Sequence, residues 1–316
     1  MTLSLFSRFQ GCLLMTFLIP GDEGERQTGA IKTRLELWAL IFHAQPYRGV
    51  LPERLWEHDT LQWQTREEFF QWLIVLALWH HENPTGFSTD LRRSAALFAR
   101  QFPEQPLSTE EQGWLHLWQR LLTVILSERY TVPQWLDLWL SCRVPHPQVN
   151  DPSGTLPLSL TAPPMDNCQE RLKAIATAIK QYHPAILTKA LAEATPLIRS
   201  VARAIYYWGT TPAQPRLTII QGQKDPGAIL TLPFTSALSG AYNGENVIRQ
   251  AIEADQSPPA SLIGLINHFA HQHFLQWLGC LSAPLATSSL APAIPSVMPR
   301  RSGLKLISQQ YDGQVF

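Results

Sequence analysis

Residues 66–80, Arg66-Glu67-Glu68-Phe69-Phe70-Gln71-Trp72-Leu73-Ile74-Val75-Leu76-Ala77-Leu78-Trp79-His80, decide the fold class. Two carboxylates lead into an apolar run in which Phe69, Phe70, Leu73, Ile74, Leu76 and Ala77 recur at helical spacing. Thr65 stands where an N-cap belongs, and Glu68, three places on, is its capping-box partner. Asn83-Pro84 reads as the end of the element.

Outward from this helix the same period recurs in both directions. Residues 31–44 put Leu35, Trp38, Ile41 and Phe42 on one stripe. A helix is expected at 88–101, capped by Ser88 or Thr89, and another from Ser108-Thr109-Glu110-Glu111 to about Glu128. Thr131-Val132-Pro133-Gln134 opens a short one carrying Trp135, Leu136, Leu138 and Trp139. Six prolines between 143 and 165 cannot sustain a helix or a central strand, so a surface connection is expected there. Helices resume near 166–182, 184–193, 195–208, 227–242 and 258–281. Leu217-Thr218-Ile219-Ile220 has the composition of a strand, but one strand makes no sheet. The chain therefore reads as all-α, with a helical domain over 1–282 and an Ala/Pro/Ser-rich, poorly ordered tail over 283–316.

Lys+Arg and Asp+Glu balance at 25 each, so no overall field draws in nucleic acid or anionic lipid, and neither is expected as a partner. Cys12, Cys142, Cys168 and Cys280 form no CxxC pair and fit neither a zinc ribbon nor a disulfide scaffold; a reduced, cytoplasmic protein is expected. The apolar run Gly11–Ile19 has the length of a signal-peptide core, but Pro20-Gly21-Asp22-Glu23 follows it instead of a cleavage site. It falls well short of the ~20 residues that a membrane span needs, so a buried first helix is expected.

Familiar catalytic signatures are missing. There is no GxSxG elbow, GxGxxG turn, Walker A loop or HExxH pair. His268 and His271, three apart, share a helix face that reads as polar while His273 points elsewhere, and His80-His81 read as imidazoles facing the last carbonyls of a helix. Two segments stand out instead. One is Arg8-Phe9-Gln10-Gly11-Cys12-Leu13-Leu14 with the acidic turn Gly21-Asp22-Glu23-Gly24. The other is Lys224-Asp225-Pro226-Gly227-Ala228-Ile229 with Ser236-Ala237-Leu238-Ser239-Gly240-Ala241-Tyr242-Asn243-Gly244. The small residues before Gly240 and Ala241 let two helix backbones approach closely. Asp225, just before its helix, caps free N–H groups or binds a cation.

These two blocks resemble the ADP-ribosylglycohydrolase family, whose members open on an arginine-phenylalanine-x-glycine helix and close on an alanine-leucine-x-glycine-alanine-tyrosine helix, as in Ala237–Tyr242. The resemblance implies a single orthogonal multi-helix bundle. It also implies hydrolysis of an ADP-ribosyl glycosidic bond with two magnesium or manganese ions held by carboxylates. The departures lie in those carboxylates. No Thr-Asp-Asp-Thr occurs; Asp225 matches the first aspartate of the second metal motif, but Gly227 stands where its second aspartate belongs and Ala228 where its threonine belongs. Too few carboxylates remain to hold a magnesium pair, so no cofactor is expected, with Asp22 and Asp225 the residual metal candidates.

The leading expectation is a pseudoenzyme without metal-dependent hydrolysis, a binding or scaffold module whose cleft residues are Asp22, Glu23, Asp225, Gly227 and Tyr242. Its partner would be ADP-ribose, a related nucleotide or a protein. The alternatives are an active magnesium- or manganese-dependent hydrolase using Asp22, Glu23, Asp59 and Asp225, and a helical structural protein unrelated to ADP-ribose in which Asp225 is only a helix cap. No residue is assigned a catalytic role.

Overall fold

The computed structural model describes residues 4–18, 61–127, 166–253 and 260–277, together with Leu35, Trp38, Leu51 and Trp56. Regular structure among the described residues is helical throughout: α1 (Leu5–Leu18), α2 (Arg66–Trp79), α3 (Pro84–Gln101), α4 (Thr109–Leu126), α5 (Asp166–Gln181), α6 (Pro184–Ala190), α7 (Pro196–Thr210), α8 (Pro215–Gln223), α9 (Ala228–Glu253) and α10 (Ala260–Trp277). Buried apolar side chains from α1 to α10 join in one continuous core.

At the start of α2, Thr65 accepts from the Glu68 N–H at 3.2 Å. The Glu68 carboxylate reaches one residue past the cap, accepting from the Gln64 N–H at 2.7 Å. From Glu68 to Trp79 every residue is buried, because a helix that is apolar all round has no face to give to water. It is enclosed by α1, α3, α4 and α9. The Trp72 indole N–H finds Ser94 Oγ at 3.1 Å, so its burial strands no donor.

In α4 the expected capping box forms in full. Ser108 Oγ accepts from the Glu111 N–H at 3.2 Å, and the Glu111 carboxylate accepts from the Ser108 N–H at 2.8 Å. The other Glu111 oxygen accepts from Thr195 Oγ1 at 2.8 Å, which ties this cap to the one that starts α7.

Two expectations are corrected. Asn83-Pro84 opens α3: Asn83 Oδ1 accepts from the Gly86 N–H at 2.9 Å, and Pro84 fills the first helical position, where no N–H is needed. Ser88 and Thr89 therefore lie inside the helix. Leu217–Ile220 is helical, within α8, where Pro215 at the first turn and packing on α9 outweigh β-branched composition.

The apolar N-terminal run is core. In α1, Phe9, Cys12, Leu13, Leu14, Met15 and Phe17 are fully buried, and no helix among the described residues is long and apolar enough to cross a membrane. Of the stripe expected at 31–44, Leu35 and Trp38 are described; both are helical and buried, and Trp38 meets Phe17 and Trp72 with ring centroids 5.8 and 5.7 Å apart. The helix expected at 131–139, the proline-rich connection and the 283–316 tail lie outside the described residues.

The centre of the arrangement is α9, which packs on α1, α2, α4, α7 and α8. It runs in two arms that meet at Gly244, whose φ of 71° and ψ of 174° are open to glycine and rare for other residues.

Candidate functional site

Of the cleft residues read from the sequence, Asp225, Gly227 and Tyr242 are described; Asp22, Glu23 and the alternative ligand Asp59 lie outside the described residues. Asp225 sits in the turn between α8 and α9, its side chain fully buried. Arg203 Nη1 donates to both carboxylate oxygens at 3.2 Å. Tyr207, one turn on along α7, donates its hydroxyl to Oδ2 at 2.7 Å. The Gly227 N–H and the Thr231 hydroxyl complete the set on Oδ1 at 2.7 and 3.2 Å. The proximity of Arg203 and Tyr207 follows from their four-residue spacing on one helix face.

The Asp225 carboxylate has about four acceptor directions, and Arg203, Tyr207, Gly227 and Thr231 use them. One of those donors is a guanidinium, itself a cation within hydrogen-bond distance of both oxygens. The group therefore caps the start of α9 and pairs with a half-buried Arg203. Burial first, then the hydrogen bond to Asp225, hold the Tyr207 phenol well above its ordinary range, so it stays a donor. At Gly227, where the resemblance would put a second aspartate, an added Cβ would stand 3.2 Å from both Asp225 Oδ1 and Ser200 Oγ.

Tyr242 is not part of this cluster. It lies on the same arm of α9 eleven residues past Thr231, about 16 Å along the axis at 1.5 Å per residue. There it packs edge-on against Trp208 at 5.8 Å.

Near Tyr242 the two quoted segments meet. Gly11 of α1 and Gly240 of α9 lie backbone to backbone, and a Cβ on either would come within 3.0 Å of the other's main chain. Arg8, a turn before Gly11, donates to the carbonyls of Ile125 at 3.0 Å and Ala241 at 3.4 Å. One guanidinium thus serves the last turn of α4 and the end of the first arm of α9, where carbonyls are short of donors. Ser7 Oγ accepts from the Glu245 N–H at 3.1 Å, capping the second arm from a neighbouring helix. The sequence signalled the glycines, but the roles of Ser7 and Arg8 depend on partners more than a hundred residues away.

The histidines divide. His268 and His271 are exposed, as a polar face requires, while His273 is buried among Trp79, Phe9 and Phe269. Burial, then the nearby His81 and His80, bring the His273 imidazole down to about 3, so it is neutral. His81 Nδ1 faces the Leu78 carbonyl at 2.9 Å, as expected for the end of α2. His80 instead pairs with the buried Asp90 of α3 through Nε2 at 2.8 Å. Among the described residues no three His, Cys, Asp or Glu side chains are grouped so as to hold a metal ion. Cys12 and Cys168 are free thiols; burial pushes Cys12 far up and Cys168 up to about 11, so neither is a ready nucleophile.

No protein-family model, no curated protein and no solved structure matches the chain.

Proposed function

We propose that this chain is a divergent protein of ADP-ribosylglycohydrolase type that acts as a binding or scaffold module and has given up metal-dependent hydrolysis. The observation that carries the reading is the state of Asp225. The carboxylate that the resemblance would assign to a metal accepts from Arg203, Tyr207, Gly227 and Thr231. The backbone crossing of Gly11 and Gly240 supports the other half, since the residues shared with the family serve helix packing here. Free Cys12 and Cys168 fit a reducing cytoplasm.

Thermal unfolding with ADP-ribose, with and without magnesium, tests the proposal. A ligand that binds only the folded chain raises the midpoint with concentration. The expected result is a rise that magnesium leaves unchanged, with no ADP-ribose released from an ADP-ribosylated substrate. A rise that needs magnesium, accompanied by turnover, would overturn the pseudoenzyme reading in favour of the hydrolase. No rise at all would remove ADP-ribose as the ligand and leave a structural scaffold.

A further inference from the structure

Every carboxylate on α3 and α4 is already engaged. Asp90, the sole acid of α3, pairs with His80 and stands 3.6 Å from Arg93. Glu110 pairs with Arg171, and Glu111 serves Ser108 and Thr195. That leaves Arg92 and Arg100 on α3 and Arg120 on α4 with no ion-pair partner among the described residues. Arg120 Nη1 is buried without any hydrogen-bond acceptor, a costly state for part of a guanidinium.

Arg92 and Arg120 both lie near one imidazole, that of His116. Helical side chains lean toward the N-terminus of their own helix. Arg92 does so visibly, its Nε donating to the Ser88 carbonyl at 3.4 Å, next to Phe87. Phe87 meets the His116 ring edge-on at 5.2 Å across the α3–α4 contact. On α4, Arg120 is four residues past His116 and so shares its helix face. Both guanidiniums act on that half-buried imidazole: burial, then Arg92 and Arg120, lower it to about 4. Phe87 also closes the first turn of α3, the helix end whose dipole favours an anion.

We propose that Arg92, His116 and Arg120 form a site for a phosphate-type dianion on the α3–α4 face, remote in sequence and independent of the Asp225 corner. Guanidinium groups match phosphate oxygens in pairs. A bound dianion would give Arg120 Nη1 the acceptor it lacks. It would also favour protonation of His116, which would then donate a third hydrogen bond.

The test is unfolding midpoint against inorganic phosphate and, separately, ribose 5-phosphate, with sodium chloride balancing ionic strength throughout. The expected result is a saturating rise above the chloride control, with affinity falling about tenfold or more in Arg120→Gln and in Arg92→Gln, the cost of one charge-assisted contact. A tighter response to ribose 5-phosphate would assign the site to a phosphorylated small molecule, and the reverse to free phosphate. A response no larger than chloride, or equal in wild type and both variants, would overturn the site. Should either variant fold poorly, the wild-type His116 NMR titration decides: saturating phosphate should raise its midpoint by about one unit or more, and an unmoved midpoint rules the site out.

Discussion

The two ends of the first arm of α9 are secured by opposite means. At its start, Asp225 gathers Arg203, Tyr207, Thr231 and a backbone N–H around one buried charge. Near its end, Gly240 meets Gly11 with no side chain between them, and the polar work is moved outward to Arg8 and Ser7. One end depends on a group being present and the other on a group being absent. These ends draw on the two segments singled out in the sequence, and their described residues serve packing and capping.

The largest effect should come from breaking the second end. In Gly240→Ala the new methyl would lie within 3.0 Å of the Gly11 carbonyl and the Cys12 Cα, which are backbone atoms that cannot rotate away. Overpacking costs about 1–3 kcal/mol where side chains yield, so a cost of ~3 kcal/mol or more is expected here. Urea denaturation measures it. A loss under about 1 kcal/mol would mean that the helices are not in backbone contact.

Asp225→Ala tests the first end. It leaves two hydroxyls, those of Tyr207 and Thr231, the Gly227 N–H and one guanidinium nitrogen without their acceptor. Breaking a buried pair costs about 3–5 kcal/mol. Because the Arg203 side chain keeps 23% of its surface in water, ~2–3 kcal/mol is the better expectation. Asp225→Asn should cost less, since it keeps the shape and part of the bonding. If Asp225→Ala were as stable as wild type yet changed ligand binding, Asp225 would belong to a functional cleft and not to a cap.

Of this contrast the sequence revealed the glycine side more fully than the charge side. Small residues at helical spacing have one good use, close approach, so Gly240 and Ala241 could be read directly. Asp225 before a glycine fitted a cap and a cation ligand equally well, and Arg203, twenty-two residues earlier on another helix, decides between them. The capping box of α4 was legible because both partners lie within four residues. Asn83-Pro84 was misread because the pair stops one helix as well as it starts the next; only the Asn83–Gly86 hydrogen bond distinguishes the two. Leu217–Ile220 was ambiguous for a similar reason, as β-branching is a local preference that the α8–α9 contact overrides. The burial of His273 had no signal at all beyond its offset from His268 and His271.

That buried imidazole gives the next test, because it stabilises only while neutral. The ordinary histidine value of 6.5 falls to about 3 at His273 and about 4 at His116. A depressed folded-state value means that the unfolded chain binds more protons. The contribution is complete above pH 6.5 and is lost as pH falls through that value toward 4. Each group should cost ~1.4 kcal/mol per pH unit in that window. Between pH 6.5 and 5, above the range where most carboxylates titrate, urea midpoints should fall steadily. His273→Phe should remove about half of the slope, and a pH-independent midpoint would place both imidazoles in water.

The smallest effect has the opposite sign and isolates what makes Gly240 special. Gly113 in α4 and Gly264 in α10 are also helical glycines, but a Cβ on either would meet nothing within 4 Å. With no packing reason for glycine, only its conformational cost remains, about 0.5–1 kcal/mol relative to alanine. Gly113→Ala should therefore stabilise the protein by up to about 1 kcal/mol, read as a higher urea midpoint at unchanged slope. The same substitution at Gly240 must destabilise. If both moved stability in one direction, helix propensity would be governing the two positions alike and the crossing of α1 with α9 would not be the constraint that its geometry implies.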